Sequence, residues 1–138
     1  MAVDLRSLAQ PATTAVLTME LQRGVTGDLS AMPELAAEVR AAGVIDNVAR
    51  LCAAARAAGA RVVHCTAVFR PDGQGSKANS RIQAVSMKLN KDRLAIGSPG
   101  AAVMPEIGPE PSDIEVSRIH GMTPFTSTSL DQILRNLG

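Results

Sequence analysis

The sequence predicts an α/β fold built on parallel strands, and three observations carry that reading. Residues 14 to 22, Thr-Ala-Val-Leu-Thr-Met-Glu-Leu-Gln, are a continuous apolar run that ends in a carboxylate and an amide. An amphipathic stretch begins at about Val44, and the short β-branched run Arg61 to Ala67 comes directly after it. Apolar residues on both faces suit a strand buried in a parallel sheet. Strand, helix and strand in that order form a βαβ unit.

Residues 1 to 12 read as a polar arm ending at Pro11, after which the first strand runs from about Ala15 to Glu20. Gly24, Gly27 and Asp28 mark a loop. A helix follows from about Val44 to Ala58, where Val44, Ile45, Val48, Leu51, Cys52 and Ala55 recur at helical spacing. Gly59 is placed to stop it in a left-handed conformation. Arg61 to Ala67 is the second strand. Beyond it, Arg70 to Ser80 turns polar and glycine-rich at the strand's carboxyl end, where open α/β sheets bind ligands. Residues 81 to 90 suit a short helix, and the prolines and glycines from Gly97 to Pro111 break regular structure. A third strand covers about Asp113 to Ser117. The last helix begins near Ser127 or Thr128, either of which can cap it, with Leu130, Ile133, Leu134 and Leu137 as its apolar face.

A length of 138 residues fits one domain, residues 1 to 138. Lys and Arg total 14 against 13 Asp and Glu, and Phe69 and Phe125 are the only aromatics, so the sequence offers neither a basic field nor a stacking platform for nucleic acid. No stretch approaches the roughly 18 apolar residues of a membrane span, and Asp4 and Arg6 interrupt the start, so a cytoplasmic protein is expected. Cys52 and Cys65 make no disulfide framework and read as reduced thiols.

Polar groups at the carboxyl end of the first strand make Glu20 and Gln22 the first site candidates. His64 and Cys65 point to opposite faces of a strand and cannot pair with one another. A small buried thiol is the reading for Cys65, and Cys52 belongs to the core. His64 and His120 are each read first as hydrogen-bonded structural histidines and second as proton shuttles, His120 ahead of His64. Gly73-Gln-Gly-Ser-Lys77 fails the phosphate-loop spacing, and no Gly-x-Gly-x-x-Gly follows the first strand. Methionines 19, 87, 104 and 122 read as packing residues.

The ordered set of strand-acid-x-Gln, helix, Arg-Val-Val-His-Cys-Thr, Pro-Ser-Asp-Ile-Glu-Val-Ser-Arg and Pro-Phe-Thr-Ser-Thr-Ser-Leu-Asp-Gln-Ile-Leu resembles the isochorismatase-like cysteine hydrolases over roughly residues 13 to 138. The resemblance implies a three-layer α/β/α, Rossmann-like fold with a mainly parallel sheet, of which this stretch makes about the first two-thirds. It implies hydrolysis of amide, ester or vinyl-ether bonds in small molecules, and a homo-oligomer. Glu20 stands at the family's catalytic aspartate and Gln22 at the glutamine two residues on. Arg118 best matches the catalytic lysine, while the nucleophilic cysteine and the fourth strand are expected beyond Gly138. His120 and Phe125 complete the expected substrate contacts. Metal-binding relatives carry Asp-x-His after the second strand, where this chain reads Phe69-Arg70-Pro71-Asp72, so no metal or other cofactor is expected.

Two functions follow from these expectations. One is a hydrolase in which Glu20 is general base or polariser and Arg118 holds an anionic or carbonyl oxygen. The other is a family member without catalysis that binds a small molecule or serves assembly, since glutamate and arginine preserve charge at both positions.

Overall fold

The computed structural model describes residues 4–76 and 78–138, so the first three residues of the arm and Lys77 of the glycine-rich loop lie outside it. Within the arm, residues Leu5–Leu8 form a single helical turn, α1, and Pro11–Thr13 form a 3-10 turn. Three strands follow the expected order: β1 (Ala15–Met19), β2 (Arg61–Ala67) and β3 (Ile114–Arg118). They pair in parallel in the order β1-β2-β3, with Val16 beside Val62 and Val116 beside Cys65. β2 is therefore the centre of the sheet among the described residues, and its last six residues are all buried.

Helices cover both faces. On one, α3 (Val44–Ala57) packs Ile45, Cys52 and Ala55 against Val62, Met104 and Ile107. On the other, α6 (Leu130–Leu137) packs Leu130, Ile133 and Leu134 against Val63, Cys65 and Val116. Alternation along β2 explains the division, since successive side chains leave a strand on opposite faces. Gly59, at φ +84°, ends α3 as expected. The Gly59 N–H donates to the Arg56 carbonyl at 2.9 Å and the Ala60 N–H to the Ala55 carbonyl at 2.9 Å, the paired bonds of a Schellman stop.

The differences from the sequence reading are local. A helix α2 (Pro33–Ala41) fills part of the region read as loop. Its signals were present: Pro33 at the first turn, Glu34 beside it and Arg40 near the end. β3 starts and ends one residue later than expected, which places Arg118 inside the strand. The last helix splits into α5 (Pro124–Ser127) and α6, because Thr128 takes an extended conformation between them. The Thr128 hydroxyl oxygen then accepts the Leu130 N–H at 3.1 Å and caps the second piece. Among the described residues, no helix is long and apolar enough to cross a membrane.

Candidate active site

The carboxyl ends of all three strands open into one cleft of about 410 Å³. Glu20 follows β1, Val68 and Phe69 follow β2, and Arg118 closes β3 with Ile119 and His120 beyond it; all of them line the cleft. Helix α4 (Arg81–Asn90) forms a facing wall. It begins with a reciprocal cap, Ser80 Oγ accepting the Gln83 N–H at 3.3 Å while its hydroxyl donates to Gln83 Oε1 at 3.0 Å.

At the corner where β1 and β3 end, an Arg118 terminal nitrogen donates to Glu20 Oε1. The other terminal nitrogen of Arg118 donates to the Gly121 carbonyl at 2.7 Å. The pair bridges the two outer strands across the end of β2. Gly121 is required for this turn: its φ is +73°, and a Cβ there would lie 2.1 Å from Ser127 Oγ. Glu20 is the one non-glycine residue at positive φ among the described residues, at +54°. Such a conformation costs an ordinary side chain on the order of 1 kcal/mol or more and collects at functional positions. Its N–H still donates to the Cys65 carbonyl at 2.8 Å, so the backbone twists its side chain out of the strand without releasing the strand end.

Gln22 is fully buried and has a different task. Its amide nitrogen donates to the carbonyls of Ala67 at 3.0 Å and Ala101 at 2.8 Å, and its oxygen accepts the Ala67 N–H at 2.8 Å. With these bonds it ties the end of β2 to the loop around residue 101. It stands behind the cleft and not among its lining residues. His120 lines the cleft and is exposed. Phe125, in α5, is also exposed and lies outside the lining.

His64 is placed away from the cleft, on the α3 side of the sheet. Its Nε2 lies 3.1 Å from Asp113 Oδ2, and its Nδ1 lies 2.8 Å from Thr18 Oγ1. Asp113 also accepts from Arg56 at 2.8 and 2.7 Å and from the Glu110 N–H at 2.9 Å. Burial pulls the Asp113 carboxyl upward, yet Arg56, the Glu110 N–H and His64 outweigh it and hold the group at about 2. An ionised Asp113 needs a donor at Nε2, so in the neutral ring Nδ1 accepts the Thr18 hydroxyl. This network was not legible in the sequence, where Asp113 read only as a strand start.

Both cysteines are buried, Cys52 on the inner face of α3 and Cys65 against α6, and burial pushes both thiols up. Neither has the exposed, electropositive surroundings of a reactive thiolate. Of the methionines read as packing, Met104 is in the core, whereas Met87 and Met122 line the cleft and Met19 is exposed.

The family model described as Isochorismatase domain matches residues 14–138. A protein of Methylorubrum extorquens (strain ATCC 14718) named ureidoacrylate amidohydrolase RutB is 37% identical over 112 residues, covering 73% of this chain and 45% of its own. Its namesake from a second strain of the same species is 31% identical over 137 residues, covering 91% of this chain and 55% of its own. The chain thus spans about half the length of these curated relatives. Among solved structures, a cysteine hydrolase from Pseudomonas syringae pv. phaseolicola 1448A matches with a TM-score of 0.68 at 25% identity, over 92% of this chain and 55% of that one. An isochorismatase family protein from Desulfovibrio vulgaris shares the fold, with a TM-score of 0.65 at 23% identity over 91% of this chain and 62% of that one.

Proposed function

Because this chain belongs to the isochorismatase family over residues 14–138, we propose that it acts as a hydrolase on the C–N bond of a small amide, with Glu20 and Arg118 as its catalytic residues. The observation that carries this reading is the Glu20–Arg118 pair at the strand ends, in the floor of the cleft. Amide hydrolysis needs a nucleophile, a group to take the nucleophile's proton, and donors aimed at the developing oxyanion. Glu20 is the proton acceptor in this reading. Arg118 is the donor: two of the five guanidinium N–H groups are engaged, by Glu20 and Gly121, and the rest are free of partners among the described residues. Cys52 and Cys65 are excluded as nucleophiles by burial. The cysteine that the family likeness places beyond position 138 is the nucleophile expected here.

The names of the two curated relatives support the choice of a C–N bond over an ester. His120 is a substrate contact in this reading, Gln22 holds the site together from behind, and Phe125 stays outside the cleft lining. The test is ammonia release from a panel of primary amides and ureido compounds by the protein as it is encoded. Turnover that falls at least a hundredfold in Glu20→Gln supports the assignment, and unchanged turnover in that variant overturns it.

A second reading has its own observation. The Arg118 guanidinium is permanently charged and sits directly on Glu20, which suits anion binding better than proton transfer. A protein that binds ureido acids without releasing ammonia would establish that module instead. The family likeness supports a homo-oligomer, and two free thiols support a cytoplasmic setting.

A further inference from the structure

The wall of the cleft opposite the ion pair is more apolar than a compact polar substrate requires. Ile82, Val85 and Leu89 recur at i, i+3 and i+7 on α4, one face of a helix. That face lines the cleft, and the three side chains remain 63%, 53% and 44% exposed. Met122, 63% exposed, and Met32, 42% exposed, line the same cleft. No residue of α4 is buried, so this face contributes little to the core. Exposed apolar side chains converging on one cavity mark a ligand surface.

Charge is distributed unevenly around it. Among the described lining residues, the ionised side chains are Glu20 and Arg118, which are paired with one another at the strand ends. A head group held there would leave Ile82, Val85 and Leu89 facing water. A volume of about 410 Å³ lies within the range of sites for one small organic molecule.

We propose that the cleft takes an amphiphilic small molecule, its polar amide or ureido head at Glu20–Arg118 and a hydrocarbon tail of several carbons laid along Ile82, Val85 and Leu89 of α4. This specificity rests on the proposed active site for the position of the head, and it adds the chemical class of the remainder. The tail removes apolar surface from water on both partners, while the head retains the polar end of the site. Val85, in the middle of the face, is the specificity-determining residue.

The test is calorimetric binding of N-alkylureas, from methyl to hexyl, to the protein as it is encoded. Affinity should rise about fourfold for each methylene over the first four or five carbons, as expected for full burial of a CH₂ group. Val85→Asp should weaken hexylurea at least tenfold and methylurea by a clearly smaller factor. Since Val85 is half exposed on a helix without buried residues, that variant should keep its unfolding midpoint. Affinity independent of tail length, or an equal loss for methyl- and hexylurea, overturns the proposal. So does a Val85→Asp protein whose only change is its association state by light scattering, which would make this face a contact between copies. Tail-dependent binding without ammonia release would retain this proposal and defeat the hydrolase reading. Ammonia release indifferent to tail length would do the reverse.

Discussion

Asp113, one residue before β3, meets Arg56 and His64; Arg118, the last residue of the same strand, meets Glu20. Both ends of β3 thus carry a carboxylate–guanidinium pair, and the surroundings of the two pairs differ in every respect that matters. The Asp113 side chain is 4% exposed and accepts from Arg56 twice, from a backbone N–H and from His64. Glu20 is 37% exposed, stands on a left-handed backbone, and faces an apolar cleft. A saturated, buried pair holds α3, β2 and the start of β3 in register. An unsaturated pair on a strained turn leaves donors and a carboxylate oxygen for something else. In the proposed reading, the same two kinds of side chain serve structure at one end of the strand and chemistry at the other.

The contrast can be broken most forcefully at the buried end. Asp113→Ala leaves Arg56 without its main partner and His64 without an acceptor, and should cost about 3–5 kcal/mol in chemical denaturation. Gln22 belongs with this structural class despite its closeness to the site in sequence. Gln22→Ala strands an N–H and two carbonyls in the interior, for a loss of about 2–3 kcal/mol by the same measurement.

Acid sharpens the comparison. The Asp113 carboxyl is lowered from 3.8 to about 2 in the folded protein, so its contribution is complete above pH 4 and is lost as pH falls through 2. Between those limits the native protein should lose about 2 kcal/mol that Asp113→Asn does not lose, read from denaturation curves taken at successive pH values. The smallest effect lies at the other pair and has the opposite sign. Glu20→Gly relieves the positive φ and should gain about 1 kcal/mol while abolishing turnover.

How much of this was legible depended on the range of the signal. The α3 face, its Gly59 stop and the bounds of β2 rest on neighbouring residues, and the sequence displays them directly. Glu20 and Arg118 were found through motifs, and parallel pairing to β2 brings them together across 98 positions. Asp113 could not be found in that way. Its partners Arg56 and His64 lie 57 and 49 residues away, and nothing in a strand-start aspartate announces them. The cleft wall was missed for another reason. Ile82, Val85 and Leu89 have helical spacing behind a Ser80 cap, but periodicity cannot tell a face turned to the core from one turned to a cavity.

The most direct measurement compares Glu20→Gln with Asp113→Asn in the protein as it is encoded, each assayed for unfolding midpoint and for ammonia release from ureido and amide substrates. Glu20→Gln should unfold with the parent and lose at least a hundredfold in turnover, whereas Asp113→Asn should unfold earlier and keep its turnover below the melting range. A Glu20→Gln protein that turns over normally, or one that loses stability as Asp113→Asn does, would contradict the assignment of chemistry to the cleft end of β3.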